Sequence, residues 1–327
     1  MGYHRLGARA KMIQQLDADA LMAGDLGQWL ATQGDARAEA KRKARFRMTL
    51  TVMLAIAVGL LAFTLTRNAE LTIFPAAGIL GLGAGWAHAA KAPILRAIKD
   101  QMNGRIAAAL ELNYAHDCLP GQEYDRAKQF DLLPNYDREA FEDRWWGHVG
   151  DVPFAVYEAH LQQWQGSGKN RRLVTVFRGS ILTIAFQRRF HGTTLVERSG
   201  TRITFFGLKD SISPGGVKLD RVSMVDPRFA EDFWVWTTDP VEAHYLVHPE
   251  YVERLIAVEQ AFEGQRIRAL FQGGELLIVL DSGNMFETGS LDSSKDRDLL
   301  ATCIAQFSSL ANLAVQLNER PRGTPTA

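Results

Sequence analysis

The sequence predicts an α+β protein in which an N-terminal transmembrane helical hairpin is followed by a cytoplasmic, mostly antiparallel sheet domain with C-terminal helices. Two observations support this fold class. Two apolar runs without any Asp, Glu, Lys or Arg, residues 48–66 and 71–90, are each long enough to cross a bilayer as a helix. Further along, short segments rich in β-branched and aromatic residues precede the helical patterns, which favours α+β over an alternating doubly wound fold.

The two apolar runs are joined by only four residues, Arg67 to Glu70, so the helices must run antiparallel. Basic residues lie just before the first run (Lys41, Arg42, Lys43, Arg45, Arg47) and after the second (Lys91, Arg96, Lys99). Because Lys and Arg mark the cytoplasmic side, we expect a multi-pass inner (plasma) membrane protein with both termini in the cytoplasm. A hairpin buried in a soluble core is the alternative, which the uncharged runs disfavour.

The remaining elements follow in chain order. Residues 1–47 read as a polar helical segment, 91–113 as a connecting helix, 114–145 as loop-rich, and 114–317 as the whole cytoplasmic domain, with a disordered tail at 318–327. Strand patterns cover 152–157, 173–177, 181–186, 193–196, 201–206, 221–224, 233–237, 267–271 and 276–280, and helical patterns cover 226 onwards, 240–247, 249–262 and 291–317. Gly179 interrupts a long strand pattern and predicts a bulge or a close backbone approach.

Charge and cysteine content limit the classes of binding partner and the redox state that we expect. The formal net charge is +0, which gives no indication of nucleic acid binding. The basic cluster before the first apolar run could bind anionic lipid headgroups, or could only determine the topology. The two cysteines, Cys118 and Cys303, have no CxxC spacing and are expected to be free thiols in a reducing cytoplasm.

A set of short motifs occurs in seven segments: Phe130–Tyr136, Gly147–Glu158, Val176–Gly179, Asp226–Phe233, Thr238–Leu246, Pro249–Leu255 and Phe286–Glu287. Together these motifs resemble an uncharacterised bacterial family, a domain of unknown function that is sometimes automatically labelled "galanin". The resemblance covers about residues 45–290, and it implies a two-helix membrane anchor with a cytoplasmic α+β domain and no known activity. One departure is His244, where the family usually has Arg.

Four titratable residues at these motif positions are the candidate binding residues: Asp239, Glu242, His244 and Glu287. Asp239 and Glu242 also have the spacing of a helix capping box, which explains them structurally. His244 and His248 have the spacing of two metal ligands on a helix, but Pro249 interrupts that helix, so no metal site and no cofactor are expected.

A second set concerns helix packing. Ala77, Gly81, Gly85 and Ala89 recur every four residues and form a small-residue face on the second apolar run. Such a face allows close approach of another helix, either the first arm of the hairpin or a helix of a second copy. Trp234 and Trp236 alternate along a strand and are expected on one face of the sheet, in the core or at a subunit interface, with a ligand platform as the alternative.

The functional hypothesis is a membrane-anchored binding or scaffolding module whose cytoplasmic domain binds a protein or a lipid headgroup. Two alternatives remain: a membrane-bound enzyme using Asp239, Glu242, His244 and Glu287, or a structural subunit of a larger membrane complex. No nucleophile elbow, metal motif or Cys–His motif supports the enzyme.

Overall fold

The computed structural model describes residues 17–149, 152–186, 190–200, 210–224 and 231–318. The described chain forms two compact units. The helical unit contains Asp17–Arg105 and Glu287–Ala301, and the sheet unit contains Ile106–Phe286 and the residues from Thr302 onwards.

The helical unit is built from α1 (Ala18–Ala23), α2 (Asp25–Thr32), α3 (Gly34–Thr66), α4 (Ala69–Ala89) and the first part of α5 (Ala92–Ala109). Of the segment 1–47, predicted to be polar and helical, residues 17–47 contain α1, α2 and the first part of α3, and residues 1–16 lie outside the described chain. Gly24 separates α1 from α2, and the Asp17 carboxylate caps α1 by accepting from the backbone N–H of Asp19.

Helices α3 and α4 lie side by side. At one end, the Arg47 guanidinium donates to the backbone oxygen of Trp86 (2.8 Å) and lies 5.0 Å from the centre of the Trp86 ring. Towards the middle, Gly83 packs so closely on Thr51 that an added Cβ would lie 1.9 Å from its methyl carbon. Since residue numbers rise along α3 as they fall along α4, the pair is antiparallel.

Helix α3 alone is long and apolar enough to cross a membrane, and only 11% of its most apolar 18-residue window is buried. Helix α4 is long and apolar enough to cross a membrane only when it is taken together with α5, which follows it across a bend of 42° after Ala89. By length and composition the described chain therefore contains one such span, or two if the bent pair counts as one.

The sheet unit contains a ten-stranded sheet in the order β1-β2-β3-β4-β10-β9-β5-β8-β7-β6. Every strand pair described is antiparallel, which confirms that part of the predicted fold class. The strands are β1 Asn113–Asp117, β2 Arg138–Val149, β3 Val152–Gln165, β4 Arg172–Ala185, β5 Thr194–Arg198, β6 Ser211–Ile212, β7 Leu219–Val222, β8 Phe233–Thr237, β9 Gln265–Gln272 and β10 Glu275–Asp281.

Five of the described helices belong wholly or partly to this unit: α5 from Ile106, α6 (Gln122–Gln129), α7 (Pro240–Leu246), α8 (Pro249–Ala261) and, from Thr302, α9 (Asp296–Asn318). Both faces of the central strands are buried. In β10, for example, successive side chains point to opposite faces of the sheet, and the five between its end residues are all buried. Leu277 and Val279 belong to the core that includes α6. On the other face, Trp145 packs on Phe307 of α9 at 4.5 Å between ring centres.

Several local predictions are confirmed. Gly273 and Gly274 have positive φ angles and close the tight turn between β9 and β10. Gly179 lies within an unbroken β4, where a Cβ would meet the backbone oxygen of Leu280 at 2.0 Å, so a close approach and not a break requires it. Trp234 and Trp236 share one core, with ring centres 6.4 Å apart.

The prediction of a loop-rich segment at 114–145 is wrong, because this stretch supplies β1, α6 and most of β2. The connecting helix also ends earlier than the predicted residue 113. Glu111 adopts a left-handed conformation (φ 54°) and the backbone N–H of Leu112 bonds back to the oxygen of Ala107, which ends α5 and allows β1 to begin at Asn113.

Residues 287–301, assigned from the sequence to the sheet domain, belong to the helical unit. Glu287 pairs with Lys99 at 2.7 Å, and the Thr288 hydroxyl donates to the Asn103 side chain at 2.8 Å. The last helix starts at Asp296 and not at Leu291. The predicted strand 201–206, the helix start at Asp226 and the tail after Asn318 lie outside the described residues.

Candidate functional site

Two of the predicted candidate residues, Asp239 and Glu242, accept hydrogen bonds from backbone N–H groups at and near the start of α7. Asp239 is the N-cap of α7, and its Oδ1 accepts from the backbone N–H groups of Val241 (2.9 Å) and Glu242 (3.0 Å). The Glu242 carboxylate does not complete a capping box. It accepts instead from the backbone N–H groups of His191 (2.9 Å) and Gly192 (2.6 Å), and so ties the loop before β5 to the start of α7.

The other two candidates do not join this arrangement within the described structure. His244 lies on the exposed side of α7, and α7 ends at Leu246 before α8 begins at Pro249, so His244 and His248 do not share a helix. Glu287 belongs to the helical unit, where it pairs with Lys99. Glu287 thus lies in one unit, and Asp239, Glu242 and His244 lie in the other. The four residues therefore give no support to the enzyme alternative.

The small-residue face of α4 points away from α3. Ala77, Gly81, Gly85 and Ala89 are all exposed, and no atom lies within 4 Å of a Cβ added at Gly81 or Gly85. The residues of α4 that contact α3 belong to a different face, which includes Gly83 and the buried Ala87. Helix α3 therefore does not pack against the predicted small-residue face of α4.

A different cluster lies at a β-bulge in the sheet unit. The pairing of β2 with β3 shifts between Glu142 and Trp145, and Asp143 within the bulge has a positive φ of 57°. The Asp143 side chain is fully buried. Its Oδ1 accepts from the Tyr114 hydroxyl at 2.7 Å and lies 3.0 Å from Nδ1 of His116 on β1.

Glu142 completes this cluster, which we call the bulge cluster: His116, Glu142 and Asp143. One potential ligand atom from each of the three residues lies within 4.8 Å of the other two. His116 and Glu142 are partly exposed, so the cluster is open to solvent on one side. Arg178 donates to Glu142 Oε1 at 3.2 Å, which leaves the second oxygen of that carboxylate to other contacts.

The surroundings of the bulge cluster are acidic. Asp117, Glu142 and Glu158 occupy paired register positions across β1, β2 and β3. Directly opposed like charges on neighbouring strands are destabilising, and the Arg178 guanidinium beside Glu142 offsets part of this repulsion. Burial, together with the nearby carboxylates of Asp143, Glu142 and Asp117, raises the pKa of the Cys118 thiol to about 11, which keeps it protonated and argues against a thiolate nucleophile.

Sequence reasoning missed the bulge cluster because His116 lies 26 positions before Glu142 and no metal-binding motif connects them. Only the antiparallel pairing of β1 with β2, two strands that were read as loop, brings the residues together. The adjacent acids Glu142 and Asp143 were the sole local signal. Both cysteines are free thiols, as predicted.

A second surface feature is the tip of the β3–β4 connection, which we call the arginine–tryptophan tip: Arg138, Trp164, Arg171 and Arg172. The Trp164 side chain is 38% exposed. The guanidinium of Arg171 lies 4.9 Å, and that of Arg138 5.9 Å, from the centre of its ring. All three arginines are exposed, so the tip combines an amphipathic aromatic ring with concentrated positive charge.

The family comparison concerns the second part of the chain, in which most of the sheet unit lies. Residues 175–319 match a family model described as "Protein of unknown function (DUF3137)". The match agrees with the predicted resemblance to a domain of unknown function. It starts after the bulge cluster and includes α7, α8 and α9. No curated protein and no solved structure matches the chain.

Proposed function

We propose that the protein is a membrane-anchored binding module: α3 and α4 cross the membrane as a hairpin, and the sheet unit binds its partner at the cytoplasmic face. The supporting observation is the exposure of large apolar side chains on both helices, with Leu65 76%, Phe74 77% and Leu82 81% exposed. Soluble proteins rarely expose contiguous apolar surface of this extent, whereas lipid covers it at no cost.

The dimensions and charges fit this anchor. The apolar part of α3, residues 48–66, is about 28 Å long at 1.5 Å per residue, which matches a hydrocarbon core of about 30 Å. The basic residues between Lys41 and Arg47 lie directly before it and mark the cytoplasmic end. This orientation leaves only the short connection around Asn68 on the outer side.

The anchor is tested by cysteine labelling. In a cysteine-free background (Cys118→Ser, Cys303→Ala), Asn68→Cys and Ser167→Cys place one thiol in the helix connection and one in the exposed turn of the sheet unit. A membrane-impermeant maleimide should label Asn68→Cys in intact cells and Ser167→Cys only after lysis. Labelling of Ser167→Cys in intact cells would contradict the topology, and extraction of the chain by alkaline carbonate would contradict the anchor.

For the binding partner we propose anionic phospholipid headgroups, contacted by the arginine–tryptophan tip. Tryptophan concentrates at membrane interfaces, and each Lys or Arg near an anionic surface contributes about 1 kcal/mol. Two exposed arginines over a partly exposed indole, with the exposed Arg172 next to Arg171 in the chain, supply both parts of such a contact.

The lipid contact is tested with the full-length chain in nanodiscs of phosphatidylcholine with or without phosphatidylglycerol. Amide hydrogen exchange of residues 164–172 should slow only with phosphatidylglycerol, and Arg171→Ala/Arg172→Ala should remove that protection. Arg221→Ala is the matched control, because Arg221 also lies over an indole, 5.5 Å from the Trp234 ring centre. Equal exchange in both lipids would contradict the lipid contact, and protection only by a co-purified protein would identify a protein partner instead.

A second candidate function is a structural subunit in which copies of the chain associate through α4. The observation that favours it is the exposure of Ala77, Gly81, Gly85 and Ala89, since α3 does not cover them. Crosslinking of Gly81→Cys in native membranes would test this contact, with Leu82→Cys, an exposed position of α4 outside the small-residue face, as the control.

A further inference from the structure

We propose that the bulge cluster binds a divalent transition-metal ion through His116, Glu142 and Asp143. The inference rests on the convergence of one imidazole and two carboxylates from two neighbouring strands. It is independent of the membrane anchor and of the lipid contact, because it uses neither α3, α4 nor the arginine–tryptophan tip.

The geometry needs only a side-chain movement to hold an ion. Two ligand atoms at about 2.1 Å from a tetrahedrally coordinated metal are about 3.4 Å apart. The ligand atoms of the cluster lie within 4.8 Å of one another, so the widest separation must contract by up to about 1.4 Å. Glu142 can supply this movement, because its side chain is 33% exposed and is the longest of the three.

The surroundings hold the first ligands in place. Tyr114 donates its hydroxyl to Asp143 Oδ1, and hydrogen bonds of this kind orient metal-binding carboxylates. The bulge fixes Asp143 next to His116, where straight pairing would direct adjacent residues 142 and 143 to opposite faces of the sheet. An ion there also offsets the repulsion among the acids of the neighbouring strands.

The donor set indicates the class of ion. Imidazole nitrogen suits Zn²⁺, Fe²⁺ and Ni²⁺, whereas Mg²⁺ and Ca²⁺ prefer sites made of oxygen atoms alone. A site of one nitrogen and two carboxylates therefore discriminates against Mg²⁺. With three protein ligands, further positions around the ion remain for water or a ligand from solution.

The test uses the full-length chain in detergent, treated with chelator and dialysed, with ZnCl₂ and MgCl₂ as probes in isothermal titration calorimetry. We expect one Zn²⁺ per chain and weaker binding of Mg²⁺. His116→Ala and Glu142→Gln should each weaken Zn²⁺ binding at least tenfold. His160→Ala is the matched control, because His160 lies on the adjacent β3 and bonds to Thr175, outside the cluster.

Two further measurements keep the proposal independent of folding defects. Circular dichroism of each variant must match that of the wild type before its affinity is compared. Co²⁺ bound to the wild type should give visible ligand-field absorption that His116→Ala alters. Zn²⁺ binding of unchanged affinity in the folded double variant His116→Ala/Glu142→Gln, or Mg²⁺ binding as tight as that of Zn²⁺, would overturn the proposal.

Discussion

The buried ion pair of the helical unit gives a prediction whose size follows from its surroundings. Arg37 on α3 donates to Asp296 at the start of α9 at 2.8 Å, and the two side chains are only 3% and 2% exposed. Within the described chain, Nε and Nη2 of Arg37 and Oδ1 of Asp296 have no hydrogen-bond partner. Burial raises the pKa of Asp296 although Arg37 acts to lower it.

We expect the two single substitutions to differ in their pH dependence. In Arg37→Met, the orphaned Asp296 can take up a proton, at a cost of about 1.36 kcal/mol for each pH unit above its ordinary pKa of 3.8. The penalty is therefore limited to about 4.4 kcal/mol at pH 7 and about 1.6 kcal/mol at pH 5. In Asp296→Leu, Arg37 cannot lose its charge, so the loss of about 3–5 kcal/mol should persist at both pH values.

The double variant Arg37→Met/Asp296→Leu is the control for this reasoning. It removes both charges and retains similar volume, so its stability should return to within about 1–2 kcal/mol of the wild type. Thermal unfolding of the full-length chain in detergent, followed by tryptophan fluorescence at pH 7 and pH 5, measures all four proteins. A penalty of Arg37→Met that is the same at both pH values would refute the argument, as would additivity of the two single penalties in the double variant.

Three further substitutions test contacts described above, each by thermal unfolding of the full-length chain. Glu242→Ala should lower the free energy of unfolding by about 1.5–3 kcal/mol, because two backbone N–H groups lose a charged acceptor. His244→Ala, at an exposed position, should change it by no more than about 0.5 kcal/mol. Equal effects of the two substitutions would contradict the role of Glu242 in holding the loop before β5. Gly83→Ala should destabilise the pair of helices α3 and α4 by about 1–3 kcal/mol through overpacking. Gly81→Ala, with open space around it, should be neutral or slightly stabilising. A larger loss of stability from Gly81→Ala than from Gly83→Ala would contradict the finding that the Gly83 side of α4 contacts α3. Gly179→Ala should cost at least about 3 kcal/mol, because its Cβ would meet backbone and not a movable side chain, and wild-type stability would refute that close approach.

Local signals were sufficient wherever the structure depends on neighbouring residues. Pro240 and Pro249 occupy the first turns of α7 and α8, as their helix-starting positions predicted, and Gly273 with Gly274 closes a hairpin. These residues act through their own backbone angles, so no knowledge of the rest of the chain is needed to place the elements.

The elements that the sequence did not predict depend on distant partners. Strand β2 carries charged residues along much of its length, and its polar composition resembles a loop until it pairs with β1 and β3. The bulge at Asp143 follows from that pairing, so the bulge cluster could not be found before the register was known. The small-residue face of α4 was identified from its period, but the period does not determine which side turns towards α3.

The continuity of α3 has a mechanical consequence. The helix runs unbroken from Gly34 to Thr66, so its polar part before Met48 extends about 21 Å beyond the apolar segment without a joint. In the proposed anchor this part acts as a stiff lever: a change of about 10° in the tilt of the span displaces its far end by about 3–4 Å. Arg37 lies near that end, so bilayer thickness would bear directly on the strain at the buried contact with Asp296.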